Sequence, residues 1–185
     1  MQCKYNSEKS LGDGPVIEQK YILDANVFIT SKNSYYDPQF HPGFWKFLDL
    51  GINNGTFILH RRVYEELRKG RDELSQRVAL WEPKVKSPSP EEMTKYKEVC
   101  TYTVSQPQWE RKVDAFLDGA DPWLVAHASI NGSTIVTLEK TDIDANCKSP
   151  KLPAVARKFG CKSIGLYSLI RKCKPIFELK TDPFL

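Results

Sequence analysis

The apolar positions of this 185-residue chain fall into two kinds of stretch: short unbroken runs, and longer segments in which apolar residues recur every three or four positions. Tyr21-Ile22-Leu23 is a run that leads straight into Asp24 and Asn26. Residues 56–59, 133–138 and 162–166 are runs of the same kind. Such runs, too short for independent helices and built around apolar residues, predict buried strands of a parallel sheet. Between them lie amphipathic segments. Phe44, Trp45, Leu48 and Ile52 share one helical face that ends at Asn54-Gly55. Val63 and Leu67 share another before Gly70, and Leu74, Val78 and Trp81 follow Asp72, which is placed as a helix cap.

Residues 83–90 carry prolines that break the pattern. Helices are then predicted over 90–104 and 108–117, as a helical insertion of about 83–117 between strands. Asp121-Pro122 is a strong helix start, with Asp121 as cap, and Asn131-Gly132 is the stop. Further short helices are predicted over 152–159 and 167–172. Strands alternating with helices predict an α/β fold, a mainly parallel central sheet with helices on both faces. Residues 1–19 read as a leader, 20–174 as one domain and 175–185 as a tail. Residues 31–43 read as a loop in which Tyr35 and Tyr36 are candidates for touching a ligand.

Composition narrows this picture. With 41% hydrophobic and 27% charged residues, no apolar run long enough to span a membrane and no apolar signal core, a cytoplasmic globular protein is expected. Five cysteines without a CxxC pair indicate neither a disulfide framework nor a thiolate zinc site. The three histidines, His41, His60 and His127, show no ligand spacing. The formal charge of +4 is uneven: from Ala145 onward nine Lys and Arg face two acids. That basic quarter, with Lys158, Lys162, Arg171 and Lys172, is expected to contact RNA phosphates.

Four acids are placed where side chains can converge at one sheet edge. Asp24 follows the first strand, and Glu66 sits beside the Val63/Leu67 face while Glu65 points elsewhere. Asp121 opens a helix, and Glu139 follows the strand ending at Thr137. Carboxylates brought together repel one another and require a cation, which points to Mg²⁺ or Mn²⁺ and to phosphodiester hydrolysis.

In their order along the chain, Leu23-Asp24-Ala25-Asn26-Val27-Phe28-Ile29, Glu66-Leu67, Ala120-Asp121-Pro122-Trp123-Leu124-Val125-Ala126 and Val136-Thr137-Leu138-Glu139 resemble the PIN-domain ribonucleases, whose largest group is the VapC-like toxins. The resemblance covers roughly residues 20–169. It implies a PIN-like three-layer sandwich, Mg²⁺-dependent RNA cleavage, frequent homodimers and, in the toxin branch, a neutralising protein antitoxin. Asp24, Glu66 and Asp121 match the three usual metal-binding acids, with Asn26 as supporting residue. Thr137-Leu138-Glu139 stands where the family has Thr-x-Asp, so Glu139 is the longer fourth acid. The chain exceeds a minimal toxin in length, which marks a branch with its own substrate or partner. Two other readings are a non-catalytic PIN-like scaffold binding RNA or protein, and a haloacid-dehalogenase-like phosphatase, which would need a second Asp where Asn26 stands.

Overall fold

Three consecutive apolar residues, Tyr21–Leu23, form β1, and all three are buried. A strand buried on both faces belongs in the middle of a sheet. In the computed structural model, which describes residues 19–109, 112–140 and 147–177, β1 lies between β2 (Phe57–Ile58) and β3 (Thr134–Val136), with β4 (Ser163–Ile164) beyond β3. Every pairing is parallel: Ile22 lies opposite Ile58 on one side and Ile135 on the other, and Val136 lies opposite Ile164. This is the parallel α/β sheet with flanking helices expected from the sequence.

The strand order β2-β1-β3-β4 turns one way after β1 and the other way after β2. The carboxyl ends of β1 and β3 therefore flank the point where the connections diverge, which is where open α/β sheets leave a crevice. Ile22, Leu23, Ile135 and Val136 have no exposed surface.

Helices flank this sheet. α1 (Ala25–Thr30) follows β1 after a single residue, and α2 (Pro42–Asn53) starts on Pro42 and packs on β2. Gly51 is required there, because a Cβ would stand 2.1 Å from the Phe57 ring. α3 (Arg61–Lys69) packs beside α1 and α4 (Glu73–Ala79), and Asp72 caps α4 through the Ser75 N–H at 2.9 Å, as predicted. α5 (Pro90–Val104) has the predicted bounds and lies along α7 (Asp121–Asn131), with α6 (Val113–Asp118) at their side. α7 ends at Gly132 in the left-handed conformation (φ 66°), whose N–H closes on Ala128. α8 (Leu152–Lys158) and α9 (Leu166–Cys173) flank β4.

The structure corrects three expectations. Residues 31–43 are not loop throughout, since Ser31–Tyr35 continues α1 as one π-helical turn that buries Ser31 and closes with the Tyr36 N–H on Ser31 O at 2.7 Å. The helix predicted over 108–117 begins only at Val113. The preceding Lys112 is left-handed (φ 59°), and a turn from Gln106 places Trp109 against Tyr102 instead. Asp121 is not a cap either: Ala120 holds that place and Asp121 is the first helical residue. The leader up to residue 18, the tail from 178, Cys3 and residues 141–146 lie outside the described residues. The four remaining cysteines are free, and among the described residues no helix is long and apolar enough to cross a membrane.

Candidate functional site

Asp24 leaves β1 in an extended conformation and starts α1, which swings its buried carboxylate under the end of β3. There it meets Thr137, the residue after β3. The Thr137 hydroxyl donates to Asp24 Oδ2 at 2.7 Å and accepts from Asn26 Nδ2 and from the Glu139 N–H, both at 3.1 Å. One donor proton and two lone pairs are thus all committed, which fixes the direction of the hydroxyl. Asn26 completes the bridge, its Oδ1 accepting from the Leu138 N–H at 2.9 Å. The Asn26 N–H reaches Asp24 Oδ1 only at 3.5 Å, so the capping bond is weak and the Thr137 bond dominates.

The other acids arrive from three further elements. Glu66 points from α3 to the start of α7, where Oε1 accepts the Ala120 N–H at 2.8 Å. That bond supplies an acceptor for an N–H at the helix start which Asp121, being one residue further on, does not supply. The Asp121 carboxylate is left without a hydrogen bond from any described residue. Gly119 passes close by, and a Cβ on it would stand 3.4 Å from Glu66 Oε1. Glu65 points away and pairs with Arg62 at 3.2 Å, as expected. Glu139 Oε2 accepts the Leu152 N–H at the start of α8 at 2.9 Å, while Oε1 faces Lys151 at 3.8 Å.

The acids act on one another. Burial pushes the Asp24 carboxyl up to about 6; the Thr137 and Asn26 bonds oppose this, and the charges of Glu139 and Glu66 add to it. Asp121 is held well above the usual carboxylate range, by burial first and then by Asp24, Glu139 and Glu66, with Lys151 in opposition. All four predicted acids therefore share one region at the carboxyl edge of β1 and β3. Among the described residues, no three His, Cys, Asp or Glu side chains are drawn together closely enough to hold a metal ion as they stand. In chemistry the donors suit a hard divalent cation: every group is an oxygen, the buried Asp24 and the half-buried Asp121 repel each other, and a single lysine, Lys151, opposes them.

The predicted cations are not brought to this edge. Lys162 directly precedes β4, Lys158 ends α8, and Arg171 and Lys172 lie in the last turn of α9. Both helices begin at the acid edge and run away from it, for about 10 Å each at 1.5 Å per residue. All four side chains are exposed. Lys140 and Lys151 stand closer to the acids. Tyr36 is packed inward, stacked on Phe44 with ring centroids 4.1 Å apart, whereas Tyr35 is exposed.

A second polar cluster has no counterpart in the sequence reading. Glu92, in the first turn of α5, is buried between His60, the cap of α3, and His127 of α7. Its Oε1 lies 2.9 Å from His127 Nδ1 and accepts from Asn131 Nδ2 at 2.8 Å, and its Oε2 lies 3.8 Å from His60 Nε2. His60 Nδ1 accepts the Arg62 N–H at 3.2 Å, so the ring is neutral with its proton on Nε2. Burial and the charges of His127, Arg62 and Arg61 lower His60 to about 3. A signal was available for His127 and Asn131, which are one helical turn apart. Nothing in the spacing of His60 or Glu92 pointed to them.

No curated protein matches the sequence. Among solved structures, the chain is similar to one in the crystal structure of VapBC2 from Rickettsia felis bound to a DNA fragment from their promoter, at 16% identity. The match covers 80% of this chain and 98% of that one, with a TM-score of 0.47. The family described as a domain of unknown function, DUF4411, matches residues 21–177, which takes in β1 through α9 and all four acids, and the chain belongs to that family.

Proposed function

We propose that this protein is a metal-dependent ribonuclease that hydrolyses RNA phosphodiester bonds, with Mg²⁺ or Mn²⁺ held by Asp24, Glu66, Asp121 and Glu139. The observation that carries this reading is the gathering of four carboxylates from four separate elements at the divergence point of the sheet, answered by one lysine. Acids that repel across a partly buried edge cost stability, and a fold retains them where a cation or substrate uses them. A bound divalent cation supplies Lewis-acid activation of water and charge compensation for the phosphodiester.

The chain's own residues do the rest. Thr137 and Asn26 hold Asp24 in one orientation and lock the ends of β1 and β3 together, so its carboxylate needs little reorganisation. Glu66, fixed through the Ala120 N–H, sets α3 against the start of α7 and hence beside Asp121. Asp24, with a pKa of about 6, changes charge near neutrality, and protonation there empties the site of a negative donor. Lys158, Lys162, Arg171 and Lys172 carry RNA that extends beyond the edge. In the toxin form of this reading, a protein antitoxin covers the carboxylate edge. The phosphatase alternative needs an acid at Asn26, whose amide oxygen and nitrogen are instead both committed to bridging β1 and β3.

RNA cleavage by the purified chain, measured with Mn²⁺, with chelator and with Asp24→Asn, tests the proposal. Cleavage in metal alone, lost in chelator and lost in the variant, is expected; equal cleavage by Asp24→Asn sinks it.

A further inference from the structure

Beside the carboxylates, a cleft of about 500 Å³ opens between the π-helical turn after α1 and the first turn of α9. Thr137 and Glu139 are part of its lining, so it is continuous with the acid edge, and Lys140 and Ser168 line it as well. Two tyrosines stand at its mouth. Tyr35 is 56% exposed and Tyr167 is 50% exposed, and their rings meet edge to face with centroids 6.4 Å apart at 67°. They come from elements far apart in sequence, and their neighbours Tyr36 and Leu166 are turned into the core. Large aromatic side chains left half in water, meeting at the mouth of a cleft lined by both apolar and polar groups, hold apolar faces ready for a flat, partly polar ligand.

Three features select the occupant. The volume suits one nucleotide rather than a folded partner, since small-ligand sites run from about 300 to 1,000 Å³. The wall shared with Thr137 and Glu139 places whatever fills the cleft next to the acids. A lysine in the lining and two π-faces match a phosphate and a base, and stacking of this kind is available to unpaired bases only. We propose that Tyr35 and Tyr167 form a stacking platform that seats an unpaired base of single-stranded RNA in this cleft, next to the carboxylates. The assignment rests on the ribonuclease reading for its substrate. It adds strand specificity: duplex RNA, with its bases stacked and paired, cannot fill the cleft.

The test separates binding from cleavage. Affinity for a short single-stranded RNA carrying a fluorescent adenine analogue is measured in chelator, where no cleavage intervenes. The proteins compared are the intact chain, Tyr35→Ala/Tyr167→Ala, and Tyr35→Trp/Tyr167→Trp, each checked for an unchanged melting temperature. The alanine pair is expected to weaken binding about ten- to a hundredfold and to abolish fluorescence quenching by stacking, and the tryptophan pair to retain both. Binding to a duplex of the same sequence should be weak and equal for all three. An alanine pair that binds single strands within twofold of the intact chain overturns the platform, as does duplex binding that falls in parallel. If the intact chain binds and quenches but cleaves nothing in Mn²⁺, the ribonuclease reading fails and the platform stands. If it cleaves and the alanine pair binds normally, the reverse holds.

Discussion

Two regions of this molecule draw acidic side chains wholly or partly out of water, and they treat the charge differently. At the sheet edge, Asp24, Glu66, Asp121 and Glu139 gather with one nearby lysine, and two of them are driven toward the neutral form. In the interior stands the buried Glu92. His127 and Asn131 contact one of its oxygens and His60 stands 3.8 Å from the other. Helix α5, which carries Glu92, is thereby tied to α7, which carries Asp121, and stands beside the start of α3, which carries Glu66. One oxygen of the interior acid is matched by partners on α7, while its other oxygen, like His60 Nε2 and His127 Nε2, is buried without a hydrogen bond; the edge acids lie in one another's field with Lys151 alone in opposition among the described residues. Buried polar groups that are satisfied specify a structure; acids left in mutual repulsion store a cost that a ligand relieves.

The largest effect that would break this contrast is at Asp24. Asp24→Asn is expected to lower metal-dependent RNA cleavage on the order of a hundredfold or more. Its melting temperature in chelator should equal or exceed that of the parent, because one repelling charge has gone. Added Mn²⁺ should raise the melting temperature of the parent more than that of the variant. A variant that loses stability along with activity would place Asp24 with Glu92 as a structural group.

Glu92→Ala should show the reverse. Truncation leaves His127 Nδ1 and Asn131 Nδ2 without their buried acceptor and opens a cavity beneath α5, a loss of about 3 kcal/mol. Urea unfolding measures it, and a loss below about 1 kcal/mol would mean that the cluster does not hold α5.

Acid sharpens the comparison, because the two regions titrate with opposite sign. His60 is lowered from 6.5 to about 3, so the unfolded chain takes up the proton first as pH falls. Its contribution is complete above 6.5 and is lost toward 3, by up to about 1.4 kcal/mol per pH unit. Asp24 is raised from 3.8 to about 6, so its contribution is complete below 3.8 and is lost as pH rises through 6. In chelator, the stability gained by Asp24→Asn should therefore grow between pH 4 and pH 7, by about 3 kcal/mol at most. His60→Asn, which keeps a capping side chain, should flatten the acid limb. Parallel pH profiles for the parent and either variant would remove that residue from the account.

The smallest effect concerns the basic quarter. Neutralising Lys158, Lys162, Arg171 and Lys172 together should weaken RNA binding. The slope of log affinity against log salt should also fall, by about 0.7 for each phosphate of a single strand that these cations no longer neutralise. An unchanged slope would leave these side chains as a solvated face, in keeping with their position away from the acids.

The sequence by itself determined the elements whose signals are local. Three apolar residues ending at Asp24, Pro90 opening α5, Asp72 capping α4 and Gly132 closing α7 are each read from neighbours within one turn of chain, where sterics and capping bonds act. It also placed Asp24, Asp121 and Glu139 at the ends of elements and Glu66 beside the inward face of a helix, and the parallel order of the strands brought them to one edge. Tertiary structure alone decided the rest. That Asp121 is the first helical residue rather than the cap depends on Glu66, which is remote in sequence, accepting the Ala120 N–H. The placing of His60 beside Glu92, the inward turn of Tyr36 against the outward turn of Tyr35, and the meeting of Tyr35 with Tyr167 likewise depend on which helices pack side by side. Those contacts join residues far apart along the chain. No periodicity records them, because the free energy that selects them comes from burial and hydrogen bonding between elements and not within one.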